Sequence, residues 1–298
     1  MKRALILGFG SIGRKHYDII KKLNVFDTIS IFTKSKEKII NKLQTKKQII
    51  QYNPDYIIIS TPTNEHLQNI KFIEKNFKKK TVLIEKPVLG SYKNIKLKNN
   101  VYFVGYNLRM HPVLNYIKNM IRKYDFWEMN IECSSYLPDW RKNIHYSESS
   151  SAKKKNYGGV LRDLSHEIDY LYYLIGNFNI KSFIKKKISN LKIETEDYFS
   201  LVGIYKKKII NLKLTYLNKF HKREISITGP IFQLKASLNE NNIEYFIGNK
   251  LKKISFNYSI NKTYEDMHKN IINKKTNNLA TVQSSLKVLK LIKKIEKR

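Results

Sequence analysis

The chain has 298 residues, of which 42% are apolar and 12% aromatic, so it can bury one large core or two ordinary ones and is not an intrinsically disordered protein. A formal charge of +33 invites a nucleic-acid interpretation, but the lysines are spread along the whole chain among Ile, Asn and Tyr. We therefore expect a solvated, lysine-rich surface and no nucleic-acid partner, with polyanion binding as the last-ranked alternative.

The cysteine content and the apolar runs bear on the compartment. Cys133 is the only cysteine, so an intrachain disulfide is impossible. The basic N-terminus is followed by an apolar run that stops at Gly8, which is too short for a secretory signal, and no run approaches the ~20 apolar residues of a membrane span. We expect a soluble, cytoplasmic protein without membrane contact.

Strands and helices alternate in the first third of the chain. Short apolar runs predict strands, and apolar residues at steps of three and four between them predict helices that begin at Ile12 and at about Glu65. The strands are predicted at residues 4–7, 28–32, 56–60, 82–84 and 101–106. This alternation predicts an N-terminal Rossmann domain, an α/β doubly wound parallel sheet, over residues 1–112.

The alternation ends after about His111. A strand at 126–136 and a helix at 160–175 precede a run of strands, and a closing helix at 278–297 carries an apolar stripe expected to pack in the core. The run of strands is predicted at residues 180–188, 198–205, 208–216, 224–228 and 232–236. Strands without helices between them favour antiparallel pairing, so residues 113–298 are predicted as a second α/β domain with a largely antiparallel open sheet.

Glycines follow the first predicted strand at the G-x-G-x-x-G spacing. Gly8 allows a tight turn, Gly10 lets the backbone approach a pyrophosphate, and Gly13 allows close helix–strand contact. The amides of Ser11 and Ile12 lie at the start of the helix, where positive potential favours an anion. These five residues are predicted to bind a dinucleotide; the alternative is a tight turn without a ligand.

The second predicted strand ends in Thr33 and Lys34, where this fingerprint usually carries an acidic residue for the ribose 2′-hydroxyl; the first acidic residue is Glu37. A hydroxyl and an ammonium favour a 2′-phosphate, so the preferred cofactor is NADP, with NAD as the other choice. The alternative is that Lys34 is one more surface lysine.

Two more strand ends carry polar residues, at the edge where open α/β sheets bind ligands. After the third strand the predicted cofactor contacts are Ser60, Thr61, Pro62, Asn64 and His66. Thr61 or Asn64 could instead cap the following helix. The next strand ends in Glu85, Lys86 and Pro87, which makes Lys86 a candidate acid/base.

Four motifs in this order resemble those of the Gfo/Idh/MocA family, which includes glucose–fructose oxidoreductase and inositol dehydrogenase. They span residues 1 to about 176 and are the glycine fingerprint, Glu85-Lys86-Pro87, Gly105-Tyr106-Asn107-Leu108-Arg109 with Pro112, and Gly158-Gly159 leading to Asp163 and His166. The resemblance implies a Rossmann domain followed by an open antiparallel sheet. It also implies that Lys86 is catalytic, that Pro87 often follows a cis peptide, and that Asp163 and His166 are an acid/base pair.

The chemistry of the pair agrees with this implication. Oxidation of a secondary alcohol needs a group that takes the hydroxyl proton, and histidine titrates near neutrality. Asp163, three residues before His166, is predicted to share its helical face and orient the ring. The family usually separates the two by four positions with a glycine between, whereas this chain has three. Asp169 matches a later family aspartate and is expected to be structural.

Further residues are predicted to contact the cofactor or the substrate. Residues 136–141 resemble a family subgroup associated with surface-sugar biosynthesis, and Trp140 and Arg141 are predicted to contact the cofactor by stacking or ion pairing. The alternative is a packed tryptophan and a surface arginine. Glu85, Lys86 and Asn107 complete the predicted cofactor contacts. The predicted substrate contacts are Lys86, Tyr106, Arg109, Tyr146, Asp163 and His166.

These residues predict an NAD(P)-dependent oxidoreductase that transfers hydride between nicotinamide and a secondary hydroxyl or keto carbon of a sugar, nucleotide sugar or polyol. A non-catalytic regulator of the same fold that senses a dinucleotide is the alternative from another class. No metal site is predicted. The resemblance allows a homo-oligomer, because family members commonly self-associate through the second sheet.

Overall fold

A computed structural model describes residues 1–35, 41–141 and 144–297. The strands are β1 (Arg3–Leu7), β2 (Thr28–Phe32), β3 (Lys42–Leu43), β4 (Tyr56–Ile59), β5 (Thr81–Ile84), β6 (Val101–Val104), β7 (Glu128–Tyr136), β8 (Asn179–Lys186), β9 (Tyr198–Tyr205), β10 (Lys208–Thr215), β11 (Leu217–Thr228), β12 (Phe232–Ser237), β13 (Asn242–Ile247), β14 (Lys250–Ser255) and β15 (Ala280–Thr281). The helices are α1 (Ser11–Leu23), α2 (Lys46–Tyr52), α3 (Thr63–Asn76), α4 (Pro112–Lys123), α5 (Val160–Asp163), α6 (Ser165–Ile175), α7 (Ile260–Ile272) and α8 (Val282–Glu296). Glu37 lies outside the described residues.

The first compact unit comprises residues 1–107 and the C-terminal segment from Asn261. Its sheet has the order β15-β6-β5-β4-β1-β2-β3, and all neighbours except β15 and β6 are parallel. β1 and β4 are buried along almost their full length, because helices cover both faces of a parallel sheet. The chain runs from β1 outward to β3 and then restarts beside β1 at β4, so the strand order reverses at β1 and β4.

The C-terminal segment completes this first sheet. Ala280 pairs antiparallel with Val104, and α8 buries an apolar stripe that includes Val288, Leu289 and Ile292. The sequence-based division places residues 261–298 in the second domain, whereas the structure groups this segment with the first unit. The difference has a physical reason: a two-residue strand paired across about 180 residues of chain leaves no local periodicity.

The second unit, Leu108–Ile260, contains an eight-stranded sheet in the order β14-β13-β12-β11-β7-β10-β9-β8. Its neighbours are antiparallel except for β7 and β10. Alternating side chains are buried, as in β12, where Phe232, Leu234 and Ala236 point to the core. The predicted α/β class, a parallel Rossmann sheet followed by a largely antiparallel sheet, is confirmed.

The helix predicted over residues 160–175 is interrupted. α5 ends at Asp163 and α6 begins at Ser165, because Leu164 leaves the helical region with φ −92° and ψ 32°. Asp163 and His166 therefore belong to different helices, and the prediction that they share one helical face is wrong.

Across the described ranges, no helix combines the length and the apolar composition that crossing a membrane would need.

Candidate functional site

Gly8 and Gly13 are required by the packing of the chain itself. Gly8 has φ +90°, and a Cβ there would lie 2.7 Å from the carbonyl oxygen of Ser60. A Cβ at Gly13 would lie 2.4 Å from the carbonyl oxygen of Gly8. Side chains at these two positions would collide with backbone, so their glycines maintain the turn and the approach of α1 to the sheet.

Gly10 differs from both. Its φ of −77° suits any residue, and a Cβ built there meets no non-adjacent atom of the described chain within 4 Å. The fold does not require glycine at this position. Because neither packing nor backbone angles require a glycine here, its place at the start of a helix suits the close approach of a ligand's pyrophosphate.

The carboxyl ends of β1, β2 and β4 converge on this loop. The Gly8 N–H donates to the carbonyl of Phe32 at 2.9 Å, and the Ser60 hydroxyl donates to the carbonyl of Gly8 at 2.9 Å. Ser11 and Ile12 form the first turn of α1. The predicted residues of the loop and Ser60 thus lie together at the point where the strand order reverses, the usual ligand position in open α/β sheets.

Lys34 follows β2 at the same edge. Its ammonium donates to the Glu65 carboxylate at 2.7 Å, and its side chain is 88% exposed. Thr33 accepts from the Ser35 N–H. The predicted partner of a 2′-phosphate is therefore held by one solvated ion pair, which is worth at most about 1 kcal/mol.

His66 is buried and joins two loops. Nδ1 lies 3.0 Å from the Pro87 carbonyl oxygen and Nε2 lies 2.9 Å from the Thr61 carbonyl oxygen. Burial lowers the pKa of His66, so the neutral ring donates to one carbonyl at a time. A ring with both nitrogens against backbone holds the site rather than contacting a cofactor with those nitrogens.

The capping alternative for the loop after β4 is wrong. The residue that caps α3 is Pro62, which has no side-chain donor or acceptor, and Asn64 lies inside the first turn. The Thr61 hydroxyl instead accepts from the Asn69 amide at 2.9 Å.

The motif lysine follows β5. The Lys86–Pro87 peptide is cis, as the resemblance implies. The Lys86 N–H donates to the Glu85 carboxylate at 3.2 Å, and the other oxygen of Glu85 lies 2.9 Å from Nε2 of His16. Glu85 is 7% exposed, so this carboxylate serves the interior of the protein.

Two predicted contacts near the end of the first unit are buried. The Asn107 amide donates to the Thr263 hydroxyl at 2.5 Å, which connects the loop after β6 to α7. Tyr106 is 2% exposed.

In the second unit, Asp163 accepts a hydrogen bond from the Tyr216 hydroxyl at 2.6 Å. Burial, and then the Asp163 carboxylate, raise the pKa of Tyr216, which keeps the hydroxyl protonated and able to donate. Trp140 packs edge-on against Tyr216, and its indole N–H donates to the Ser135 hydroxyl at 3.0 Å. These contacts hold one edge of the indole, but Trp140 remains 37% exposed and Arg141 is exposed as well.

His166 stands in the first turn of α6, next to a buried ion pair. Glu167 is 0% exposed and accepts from Nε of Arg223 at 2.8 Å, which fixes α6 against β11.

Arg109 forms a two-pronged pair with Asp169, with both N–O distances 2.7 Å. The Arg109 guanidinium therefore binds a buried carboxylate, and Asp169 makes a structural contact, as expected. Tyr146 accepts from the Lys192 N–H at 3.1 Å.

Sequence reasoning missed several polar residues of these surroundings. His16 and His268 are both fully buried. Tyr216, directly after β10, bonds to Asp163, and Arg223 of β11 bonds to Glu167, the neighbour of His166. His16 carries a weak signal, a polar residue within the apolar face of α1; His268 and Arg223 carry none, because their partners are distant in the chain.

Residues 2–97 match the family described as "Oxidoreductase family, NAD-binding Rossmann fold". Over these residues the chain is similar to the Gfo/Idh/MocA oxidoreductases. The resemblance read from the motifs is thus confirmed.

A levoglucosan dehydrogenase from Pseudarthrobacter phenanthrenivorans is 28% identical over 136 residues, which is 43% of this chain. The match spans only 35% of that protein's length. Among solved structures, a dehydrogenase (MviM) from Clostridium difficile has a TM-score of 0.79 at 20% identity and covers 99% of both chains. An inositol dehydrogenase homolog from Azotobacter vinelandii, complexed with NAD+, has a TM-score of 0.79 at 12% identity over 98% of this chain and 93% of its own. These two likenesses establish the fold.

Proposed function

We propose that the protein is an NAD(P)-dependent oxidoreductase that transfers hydride between nicotinamide and a secondary hydroxyl or keto carbon of a sugar, nucleotide sugar or polyol. The observation that carries the proposal is Gly10, whose missing side chain the fold does not require. The family of residues 2–97 and the sugar dehydrogenase among the relatives support the substrate class.

The residues fit a bound dinucleotide. The loop of residues 8–13 would hold the pyrophosphate through the amides at the start of α1, and Ser60 steadies the loop by its bond to Gly8. The nicotinamide, when bound, supplies the hydride donor or acceptor. We propose NADP as the preferred form, because the exposed Lys34–Glu65 pair costs little to break and a 2′-phosphate offers Lys34 a stronger partner.

We assign Lys86 and His166 to proton handling. The alcohol proton must leave when hydride leaves the carbon, and both side chains can accept it. The Lys86 backbone is held by the Glu85 carboxylate, and α6, which carries His166, is held by the Glu167–Arg223 pair. Asp163, fixed by Tyr216, is assigned to orient the substrate or His166.

One cysteine thiol, buried and free, fits the cytoplasm, where we place the reaction.

The test measures reduced nicotinamide formed from NADP+ or NAD+ with a panel of sugars, nucleotide sugars and polyols. Lys86→Ala and His166→Ala should each lower turnover at least about a hundredfold, the usual contribution of general acid–base catalysis. Lys93→Ala, which removes an exposed lysine seven residues later, is the control. Undiminished turnover in both site variants would contradict the assignment. Dinucleotide binding without turnover on the whole panel would favour the regulator.

A further inference from the structure

Four buried polar side chains form a continuous chain of hydrogen bonds behind Lys86. Tyr56 Oη lies 2.8 Å from Nδ1 of His268, and Nε2 of His268 lies 2.8 Å from Nδ1 of His16. Nε2 of His16 lies 2.9 Å from Oε1 of Glu85. Each of the four is at most 7% exposed, and they come from β4, α7, α1 and the end of β5.

The donors and acceptors in this relay have one consistent direction. Burial, and then the Glu85 carboxylate, raise the pKa of Tyr56, so its O–H is available to donate to His268. Burial, and then His16, lower the pKa of His268, so its ring is neutral and passes one N–H to His16. His16 then donates from Nε2 to Glu85. In this direction every ring nitrogen of the relay has a hydrogen-bond partner.

The relay ends on a carboxylate that holds the Lys86 backbone. The two oxygens of Glu85 have different partners: Oε1 accepts from His16, and Oε2 accepts from the Lys86 N–H at 3.2 Å. Gly105 closes the third side, because a Cβ there would lie 2.5 Å from Oε1. The carboxylate therefore has little room to move.

The residue after Lys86 is held in a similar way. His66 lies 3.0 Å from the carbonyl oxygen of Pro87 and 2.9 Å from that of Thr61, so its buried ring packs between the two loops. Lys86 is thus flanked in the chain by two backbone segments that buried histidines fix. Structural stability alone does not explain this placement, because apolar side chains of similar volume stabilise an interior at least as well as a buried polar network.

We propose that His268 and His16 are positioning residues for Lys86, which act through the Glu85 carboxylate and set the backbone from which the lysine side chain departs. This role rests on the proposed oxidoreductase function. It also gives helix α7, in the C-terminal segment, a part in the reaction, since α7 supplies His268 to the first unit.

The test compares His268→Leu, His268→Gln and Met267→Leu in the full chain. Misplacing a reacting group by a fraction of an ångström lowers kcat, so His268→Leu should lose about tenfold or more in kcat while KM and Kd for the dinucleotide change less than about twofold. Gln can donate to His16 and accept from Tyr56, so it should restore most of kcat. Met267, buried on the same helix outside the relay, is the control. If His268→Leu does not fold, Tyr56→Phe takes its place.

Equal kcat in His268→Leu and Met267→Leu would overturn the proposal, as would a Kd that rises in step with the loss of kcat. Nitrogen NMR of the histidine-labelled wild-type protein is a second readout that needs no turnover. The proposal requires the proton on Nε2 of both His16 and His268, and a proton on Nδ1 of His16 would overturn the relay. A wild-type protein inactive on every sugar and polyol would instead overturn the proposed function, and with it the role assigned to Lys86.

Discussion

At the scale of single residues, the three glycines of the fingerprint have separable causes. Gly8 and Gly13 are enforced by backbone atoms of the loop and of Ser60, and Gly10 is not. A motif that is read as one unit in the sequence therefore contains two positions that serve the fold and one that is free to serve a ligand. This division makes binding and stability independently testable.

Gly10→Ala should leave the free energy of unfolding within about 0.5 kcal/mol of wild type, because its methyl group meets open space and ordinary backbone angles. Its affinity for NADPH and NADH should fall, since the methyl occupies the path of the pyrophosphate. Calorimetric titration with both dinucleotides measures the affinity and denaturant unfolding measures the stability. Gly13→Ala is the matched control, expected to lose stability. Undiminished affinity in Gly10→Ala would contradict the assignment.

The ion pair between Lys34 and Glu65 can be tested by a single substitution. Glu65→Gln removes the charge that competes with a 2′-phosphate for Lys34. We expect the affinity for NADPH to increase about twofold to fivefold, the range of a solvated ion pair, while that for NADH stays constant. Protection in thermal melts by each dinucleotide reports both affinities. An equal change for both forms would show that Lys34 does not meet the 2′-position.

At the scale of elements, buried ion pairs hold the motif-bearing segments of the second unit. Arg109, in the turn after β6, is bonded to Asp169 of α6, and neither side chain is more than 7% exposed. Removing one partner leaves an uncompensated buried charge, which is far more costly than losing a surface pair.

Asp169→Asn should therefore lower the free energy of unfolding by about 3–5 kcal/mol. Glu244→Gln breaks the solvated pair with Lys253 in the same unit and should cost less than about 1 kcal/mol. Denaturant unfolding of both variants gives the comparison. Equal small losses would mean that the Arg109–Asp169 pair does not secure α6.

The local elements were largely predictable, because buried strands and amphipathic helices leave periodic patterns. The ends of β1, β2 and β4, and with them Gly8, Lys34 and Ser60, follow from short apolar runs and their punctuation. The break at Leu164 was not predictable, since residues 160–175 keep a helical pattern across it. β13 and β14 were also missed; β14 is mostly exposed and carries three lysines, which weakens its apolar pattern.

At the scale of the whole molecule, what escaped prediction is long-range pairing. The Tyr216–Asp163 bond joins residues 53 apart, and the His16–His268 bond joins residues 252 apart. Residue type and spacing identify which side chains can do chemistry, but they do not identify the distant partners that hold those side chains. The return of the C-terminal segment to the first sheet belongs to the same class.

Buried neutral histidines make the stability of the whole molecule depend on pH. Burial lowers the pKa of His66, His111 and His268 below the ordinary 6.5. The unfolded chain therefore binds more protons below about pH 7, and the free energy of unfolding should fall as the pH is lowered from about 7.5 to 5.

His111, with a pKa of about 4, should by itself contribute a loss of about 2 kcal/mol by pH 5. His111→Asn keeps an acceptor at the start of α4 and removes the titration, so its unfolding curve should be correspondingly flatter with pH. His145→Gln, at an exposed histidine, should keep the wild-type slope. Identical slopes in wild type and His111→Asn would contradict the burial argument.

We propose that this protein moves hydride between a nicotinamide and a sugar or polyol with the help of Lys86. The most direct measurement incubates the full chain with NADPH or NADH deuterated at the transferable position and a panel of keto-sugars, followed by mass spectrometry of the alcohols formed. We predict one deuterium on the new carbinol carbon with wild type and at least a hundredfold less with Lys86→Ala, about the contribution of a general acid. No label in any product from wild type, or equal label from Lys86→Ala, would contradict the claim.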